Sequence, residues 1–415
     1  MSERAPLLSL DDALLRLVQG ASGHAIRQRE QVDTFDALGR VLAEDVCSAL
    51  DVPPADNSSM DGYALRLADL ATPDTLLPVS QRIAAGVVGA PLAEGSAARI
   101  FTGAQMPRGA DTVVMQELCD VVAGDGLGSV RIKTRPKAGE WVRRKGEDVQ
   151  RGATVLPRGT RLTPQALGLA ASIGAATLAV VRRPRVALFS TGDELAMPGQ
   201  PLKPGAIYNS NRFMLRALLQ ASGCEVTDLG IVPDQLSATR EALRRAAQGH
   251  DLVLSSGGVS VGEEDHLKPA VQAEGRLELW QIAIKPGKPL AFGEVSNGGA
   301  TAALFIGLPG NPVSSFITFL LAVAPVLKAL QGADAGMPMA LPLRADFDWP
   351  KADKRREFLR VRLNRQGGLD LFGNQSSGVL TSTVWADGLV DNPGGQVICR
   401  GDTVRFVSLN DWVAR

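Results

Sequence analysis

The chain has 415 residues, which is enough for two to four domains, and its hydrophobic (45%) and charged (21%) fractions are typical of a folded soluble protein. The 44 Lys and Arg residues balance the 44 Asp and Glu residues, so overall charge does not favour nucleic acid and any anion site must be built locally. No stretch approaches ~20 uninterrupted apolar residues and no basic segment precedes an apolar run, so we expect a cytoplasmic chain without a membrane span.

The cysteines and histidines exclude further classes of protein. The cysteines have no CxxC spacing, which indicates reduced, buried thiols rather than a disulfide framework. The histidines are equally dispersed and offer little material for a zinc cage or a Ser-His-Asp triad. These residues are Cys47, Cys119, Cys224, Cys399, His24, His250 and His266.

The first predicted elements are two helices that flank a β-rich stretch. Ser9 suits the N-cap of an amphipathic helix over residues 9–19, which we expect Gly20 to end. Short β-like pieces interrupted by Gly and Pro follow. A second helix is predicted after Thr163, its N-cap. We therefore predict a discontinuous N-terminal helical and linker domain, which consists of residues 1–50 and 141–181. We predict that residues 51–140 form an inserted β-rich domain.

After Arg185 the apolar runs VALFS, EVTDLGIV, DLVLSS and AALFIGLP alternate with helical stretches. Such alternation is typical of a parallel sheet covered on both faces, so we predict a doubly wound α/β domain over residues 182–332. Residues 333–415 return to β-like alternation and predict a β-barrel-like domain. In its segment EFLRVRL we expect one face to carry Leu359, Val361 and Leu363 and the other to carry Phe358, Arg360 and Arg362.

Polar residues follow the end of each of the four predicted parallel strands. In an open parallel sheet, ligands bind outside the carboxyl ends of the strands, because the strand-to-helix loops meet there. We therefore expect a single crevice lined by the loops after these strands. Their key residues lie at 191–194, 233–234, 255–266 and 308–315.

The segment SSGGVSVGEEDH, residues 255–266, combines two chemistries. Its glycines let backbone amides approach an anion closely, and its serines add donors, so the candidate ligands are Ser256, Gly257, Gly258 and Ser260. Carboxylates follow, and they tolerate a nearby phosphate when a divalent cation, Mg²⁺ above all, lies between them. The alternative is a turn followed by a helix that Asp265 caps. The similar character of the other three loops favours a ligand site.

Two further segments provide cations and a helix N-terminus. IKPGKP places Lys285 and Lys288 on a proline-stiffened turn beside Pro289, where they can meet a compact oxyanion at little ordering cost. A solvated lysine pair is the alternative. GLPGNPVSSF is a turn followed by a helix whose first-turn amides attract anions. Its candidate residues are Gly310, Asn311, Pro312 and Ser314.

Seven segments together resemble a known family, and two of them contain Asp61 and Thr102, which by themselves are ordinary loop residues. The segments are DNSSMDGYAL, FTGAQMPRGADTVVMQE, RRKGEDV, ALFSTGDEL, SSGGVSVGEEDHLK, IKPGKPLAFG and GLPGNPVSS. From about Ser9 onwards the chain resembles the bacterial MoeA family of molybdopterin molybdenumtransferases and is similar to the E domains of gephyrin and plant Cnx proteins. The resemblance implies four subdomains, a homodimer with active sites between protomers, and Mg²⁺-dependent insertion of molybdate into adenylylated molybdopterin with release of AMP.

The resemblance also implies roles for individual residues. The functional acids of the family fall on Asp61, Glu194, Asp234 and Asp265, and Thr102 matches a family threonine. We expect Asp234 and Asp265, with Glu194 as a further candidate, to place the metal. Asp61 and Glu194 are expected to order water or the leaving phosphate. The family's oxyanion pocket falls on Lys285, Lys288, Pro289, Ser314, Arg360 and Ser377.

Partners and alternatives follow from the same comparison. Nothing in the sequence suggests a fused adenylylating domain, so we expect a separate adenylyltransferase to supply the substrate and molybdoenzymes to accept the product. A non-catalytic molybdopterin-binding scaffold is a second hypothesis, which the four acids argue against. A nucleotide pyrophosphatase-like enzyme is a third, although it would not need the two β domains or IKPGKP.

Overall fold

The N-terminal part of the chain contains two helices and a series of short strands. The computed structural model describes residues 7–259, 266–299 and 302–413. The helices are α1 (Leu10–Gly23) and α2 (Pro164–Ser172), and the strands are β1 (Arg29–Asp33), β2 (Val46–Cys47), β3 (Asn57–Ser58), β4 (Gly62–Leu65), β5 (Thr75–Ile83), β6 (Ala97–Ile100), β7 (Thr112–Met115), β8 (Cys119–Val122), β9 (Ser129–Ile132), β10 (Val142–Arg143), β11 (Thr154–Leu156) and β12 (Thr177–Val181).

Strands β4 to β9 form the predicted β module, a mixed six-stranded sheet with the order β7-β4-β6-β5-β9-β8. The predicted strands in ARIFTG, DTVVMQ and SVRIKT are β6, β7 and β9. Buried apolar side chains cover both faces of the sheet. One cluster includes Leu65 and Val130, and a separate cluster includes Ala64 and Ile100. Three two-stranded ladders, β1–β12, β2–β11 and β3–β10, connect the chain on either side of the module.

Helix α1 begins where the sequence predicts but ends later. The Ser9 hydroxyl accepts a hydrogen bond from the Asp12 N–H, as an N-cap does, whereas the helix runs on to Gly23. Gly20 therefore does not end the helix. A Cβ atom at Gly20 would lie 2.9 Å from Cζ of Phe292, so glycine here permits close packing. Through this face α1 joins the core of the α/β domain.

The α/β domain holds the elements β13 (Arg185–Thr191), β14 (Leu195–Ala196), β15 (Ile207–Tyr208), α3 (Ser210–Ala221), β16 (Glu225–Val232), α4 (Leu236–Ala247), β17 (Leu252–Ser256), α5 (Leu267–Glu274), β18 (Gly275–Gln281), β19 (Ile284–Lys285), β20 (Pro289–Ser296), β21 (Ala302–Leu308), α6 (Pro312–Thr318) and α7 (Ala324–Leu330). Its sheet has the order β16-β13-β17-β21-β20-β18. The four predicted strands are β13, β16, β17 and β21, and they are parallel. Strands β20 and β18 extend this sheet antiparallel at one edge.

A π-helical turn over Phe319–Val323 joins α6 to α7 at the centre of the α/β core. The resulting helix, Pro312–Leu330, is long and apolar enough to cross a membrane, with a mean hydropathy of 2.0 over its 18-residue window. However, 89% of that window is buried inside the protein. Core helices of folded domains meet the same criterion, and this one packs on α1.

The C-terminal part contains β22 (Leu341–Ala345), β23 (Arg356–Leu363), β24 (Gly368–Leu371), α8 (Thr381–Trp385), β25 (Gly388–Asn392), β26 (Thr403–Ser408) and α9 (Asn410–Val413). Strands β23, β24, β22, β26 and β25 pair in that order, and β25 pairs with β23 to close a barrel. Strand β19 of the α/β domain adds to β23, with Lys285 opposite Glu357. The predicted fold class, with its parallel α/β domain, β module and C-terminal barrel, is confirmed.

Strand β23 alternates as predicted in the direction of its side chains at positions 358, 359 and 361, but the two faces do not differ in burial. Phe358, Leu359, Arg360 and Val361 are all buried, whereas Leu363 is exposed. Leu359 and Val361 fill the barrel, while Phe358 packs into the core shared with the α/β domain. The strand thus lies between two interiors. Buried and exposed residues are expected to alternate along a strand only when one of its faces meets water.

The cysteines are free, as predicted, but their predicted burial is only partly correct. Cys224 is buried and Cys119 is half-buried, whereas Cys47 and Cys399 are exposed. Burial raises the pKa of the Cys224 thiol to about 12. Exposed thiols are compatible with the absence of disulfides, because dispersed positions offer them no partner.

Candidate active site

The carboxyl ends of the parallel strands bring two predicted loops together through one side chain. The Asn211 side-chain amide donates to Ser256 Oγ at 2.9 Å and to the Gly310 carbonyl at 2.7 Å. Ser256 ends β17, Gly310 follows β21, and Asn211 lies in the first turn of α3. One buried side chain therefore joins the glycine-rich loop to the N-terminus of α6. This is the crevice that strand-end loops of an open sheet form.

The glycine-rich loop requires its first glycine. Gly257 has φ +92°, and a Cβ atom there would lie 2.7 Å from the Thr191 carbonyl oxygen. Its N–H donates to the Leu308 carbonyl at 3.1 Å, so the loop is held between the ends of β13 and β21. Gly258 also has a positive φ of +66°. The backbone can adopt this close path because neither position carries a side chain.

The predicted acids lie on the loops after β13 and β16. The Asp234 N–H donates to Asp193 Oδ1 at 3.2 Å, which connects the two loops. Glu194 is on the same loop as Asp193, and its carboxylate lies against Gly192. Ser260 and Asp265 lie outside the described residues. Within residues 7–259, 266–299 and 302–413, no three His, Cys, Asp or Glu side chains form a ready metal cluster.

The lysine turn packs against the start of α6. Gly287 has φ +108°, and a Cβ atom there would overlap Thr318 Oγ1 and lie 3.4 Å from the Ser314 carbonyl oxygen. The Lys288 carbonyl accepts a hydrogen bond from the Ile282 N–H at 2.8 Å, and Pro289 begins β20. Asn311 and Pro312, at the start of α6, belong to the same corner as Ser314, which is 5% exposed.

The side chain of Lys285 forms ion pairs with acids of the C-terminal barrel. Its Nζ atom lies 3.0 Å from Glu357 Oε1 and 3.4 Å from Asp353 Oδ2. Glu357 is 1% exposed and also accepts from the indole N–H of Trp349 at 2.8 Å. A buried carboxylate needs such partners, since burial of an unpaired charge is costly. Lys285 therefore compensates a buried acid, whereas the neighbouring Lys288 forms no ion pair with any acid in the described part of the chain.

Arg360 and Ser377 are close to the same corner but contribute differently. The Ser377 carbonyl accepts from the Val313 N–H at 3.0 Å, so the barrel reaches the N-terminus of α6. Arg360 is 1% exposed and donates to Ser382 Oγ at 3.2 Å and to the Phe358 carbonyl at 3.1 Å. Burial lowers the pKa of its guanidinium to about 10. Its guanidinium also donates to the Ser376 carbonyl at 3.4 Å, so Arg360 holds the loop that carries Ser377.

Asp61 and Thr102 form a separate pair on the β module. Asp61 Oδ1 accepts from the Thr102 N–H at 2.8 Å and from its hydroxyl at 2.7 Å. These hydrogen bonds, with a smaller contribution from Arg99, lower the pKa of Asp61. Among the described residues, the hydrogen-bond partners of Asp61 and Thr102 lie within the module, and none of these contacts joins the pair to the strand-end crevice of the same chain.

Asn211 was not among the predicted site residues, and Asp193 was predicted only as part of the loop 191–194. Asn211 is 8% exposed, and its carboxamide joins two predicted loops. Asp193 connects the loops that carry Glu194 and Asp234. The sequence did contain a signal for Asn211. It is a polar residue in the first turn of a helix that begins on the crevice side of the sheet, and such a position favours a contact with the crevice loops.

Comparisons with known proteins agree with this geometry. Three family models match the chain, described as the MoeA N-terminal region (domains I and II), the probable molybdopterin binding domain and the MoeA C-terminal region (domain IV). They match residues 8–174, 187–329 and 342–409. The chain is 40% identical to the molybdopterin molybdenumtransferase of Haemophilus influenzae, covering 88% of this chain and 89% of that protein.

The chain belongs to the MoeA family. The molybdopterin molybdenumtransferase of Nostoc is 39% identical, over 92% of this chain and 88% of that protein. A crystal structure of the molybdopterin biosynthesis MoeA protein from Pyrococcus horikoshii OT3 superposes with a TM-score of 0.82 at 28% identity, covering 97% of this chain and all of that one. The predicted family and the predicted enzyme class, a molybdopterin molybdenumtransferase, are confirmed.

Proposed function

We propose that this MoeA-family chain inserts molybdate into adenylylated molybdopterin and releases AMP, with Mg²⁺ present. The observation that carries the proposal is the double hydrogen bond of Asn211, because it unites an amide-rich loop and a helix N-terminus in one crevice. Both features are suited to phosphates and other anions. The acids on the loops after β13 and β16 provide a place where a cation can bind beside these anions.

The donor set of those loops fits Mg²⁺. This ion takes one or two carboxylates and fills its remaining positions with water and substrate phosphates. Asp193, Glu194 and Asp234 lie on two loops joined by a hydrogen bond, and Asp265 completes the predicted set. When bound, Mg²⁺ would neutralise phosphate charge as the bond to AMP breaks. The protein's own contribution is to hold the phosphates at the glycine-rich loop, on the backbone amide of Gly258, because the Gly257 N–H is bound to the Leu308 carbonyl.

The corner formed by the lysine turn and α6 is proposed to hold molybdate. Lys288 and Ser314 are the direct ligands, because Lys288 forms no ion pair within residues 7–259, 266–299 and 302–413 and Ser314 lies in the first turn of a helix. Pro289 stiffens the turn. Lys285 and Arg360 act through the barrel, since one compensates Glu357 and the other holds the loop of Ser377.

We further propose that the functional unit is a homodimer whose active sites lie between the two chains. The support is that Asp61 and Thr102 are organised for a role yet hydrogen-bond within the β module. A second copy related by two-fold symmetry can bring its module to the crevice. The remaining proposals are a cytoplasmic location, a separate adenylyltransferase that supplies the substrate, and molybdoenzymes that accept the product.

The experiment is a reconstitution. Purified protein is mixed with adenylylated molybdopterin, Mg²⁺ and molybdate, and AMP and metallated pterin are measured; we expect both, in equal amounts, and neither without molybdate. The D234N chain serves as the control with an impaired site. Binding of the pterin without turnover would favour the scaffold. Hydrolysis of simple dinucleotides without molybdate would favour a pyrophosphatase-like enzyme.

A further inference from the structure

Two arginines and a phenylalanine border the Asp61–Thr102 pair on the β module. The Arg82 and Arg99 guanidinium carbons each lie 4.7 Å from the centre of the Phe101 ring. Arg99 is also 5.2 Å from the Tyr63 ring. Phe101 directly precedes Thr102 in the chain. Two cations are therefore concentrated beside the predicted functional pair, held in place by ring faces.

In the part of the chain that the structure describes, neither guanidinium of this pair of arginines forms an ion pair with a carboxylate within 4 Å. A nearby counter-charge is that of Asp61, whose pKa Arg99 helps to lower. Arg99 donates to two neutral acceptors, the Gly62 carbonyl at 3.0 Å and Gln116 Oε1 at 2.5 Å. Arg82 is exposed. Like charges in such proximity repel, and an anion relieves that repulsion.

Arg99 is also coupled to Asp61 through two neighbouring residues. It binds the carbonyl of Gly62, the residue after Asp61, and the side chain of Gln116. The Gln116 N–H in turn donates to the Asp61 carbonyl at 3.1 Å. The guanidinium, the Asp61 carboxylate and the Thr102 hydroxyl therefore keep fixed relative positions. A group bound by the arginines would lie next to the Asp61–Thr102 pair.

From these contacts we infer that Arg82, Phe101 and Arg99 form an anion-binding surface that receives a phosphate of a nucleoside diphosphate. This inference rests on the proposed function, in which the β module of one chain completes the crevice of the other. Guanidinium groups match phosphate oxygens with paired N–H donors. Stacking on Phe101 holds each guanidinium in place before the ligand arrives, which lowers the ordering cost of binding. The arginines thereby orient the phosphate toward Asp61.

The test measures binding of ADP, as a nucleoside diphosphate probe, to the full-length protein by calorimetry. We expect R82Q to weaken ADP binding about tenfold, because one charge-assisted contact is lost. The matched control is R131Q, which removes the same charge from β9 of the same module, where Arg131 donates to the Asp74 carbonyl. R131Q is expected to bind ADP like the wild type. The difference between R82Q and wild type should shrink as salt is raised.

A second variant separates binding from a structural role of the stack. R99K retains the charge but loses the fork that binds Gly62 and Gln116, so we expect a lower kcat with a smaller change in ADP affinity. Equal ADP affinity in wild type, R82Q and R131Q would overturn the inference and leave the proposed function intact. A wild-type chain that does not bind ADP would also overturn the inference, whereas the proposed function fails only if the reconstitution yields neither AMP nor metallated pterin. Thermal unfolding verifies that each variant is folded.

Discussion

At the level of single residues, the crevice depends on close backbone approach. Gly257 adopts a positive φ and passes the end of β13 so closely that a side chain would contact the Thr191 carbonyl. Its N–H is bound to the end of β21. Two costs of substitution can thus be separated: the conformational cost of a positive φ and the steric cost of the neighbouring strand.

Gly257→Ala is therefore expected to destabilise the protein more than Gly249→Ala. Gly249 has φ +78° with open space around its Cβ position, so it bears only the conformational cost, about 1–2 kcal/mol. At Gly257 the contact with Thr191 adds about 1–3 kcal/mol. Urea unfolding of the two variants measures the difference. Equal free energies of unfolding would show that the loop relaxes away from β13.

Asn211 provides a second prediction at this scale. Asn211→Ala removes the donors that bind Ser256 and Gly310, and loops misplaced by about 1 Å lower kcat on the order of 100-fold. Asn392→Ala is the control, since Asn392 is also buried and donates to a carbonyl, that of Gln396, but in the barrel. Both variants should lose about 1–3 kcal/mol of stability. A normal kcat for Asn211→Ala would contradict its positioning role.

At the level of elements, an ion pair and a hydrogen bond converge on Asp346 at the end of strand β22 of the barrel. Arg344 of β22 donates to both carboxylate oxygens of Asp346, at 2.7 and 3.0 Å, and Asn364 donates to it at 2.8 Å. These bonds, that of Arg344 first, lower the pKa of Asp346 from 3.8 to about 2. A carboxyl group with a lowered folded pKa stabilises the fold above its unfolded pKa and loses this effect as pH falls.

Asp346→Asn should accordingly change the acid stability of the barrel in one pH window. Above pH 3.8 the wild type is expected to be the more stable chain, and the two curves should converge as the pH falls toward about 2. Asp125→Asn, in an exposed loop of the β module, is the control. Unfolding midpoints measured between pH 7 and 2 provide the test. A constant gap between wild type and Asp346→Asn down to pH 2 would exclude this linkage.

At the level of the whole molecule, the main question is how the β module meets the crevice. Asp61 and Asp234 belong to different domains, and the contacts of Asp61 lie within its own module. In the proposed homodimer each active site takes Asp61 from one chain and Asp234 from the other. Two inactive variants can then complement each other.

We predict that D61N and D234N, each inactive alone, regain activity when co-refolded. Half of the randomly formed dimers are mixed, and one of their two sites carries both wild-type acids, so about a quarter of wild-type turnover is expected. D61N/D234N double-variant chains co-refolded with themselves are the control. No recovered turnover, with dimers present by light scattering, would place both acids in one chain's site.

Local patterns in the sequence determined the element types, the four parallel strands and the polar loops at their ends. Hydrophobic periodicity and the positions of Gly and Pro depend only on near neighbours in the chain, which is why they could be interpreted without coordinates. The same patterns correctly marked the N-caps Ser9 and Thr163. Most of the predicted crevice residues lie in the loops that these patterns delimit.

Only the tertiary structure decided which distant surfaces meet. Gly20 serves packing against Phe292 rather than helix termination, Lys285 is committed to Glu357 of the barrel, and Asn211 joins two loops. Strand β23 is buried on both faces because two domains enclose it. Each of these features is a contact between residues far apart in the chain. Such contacts depend on how the domains pack, and the spacing of residue types along the chain does not specify that packing.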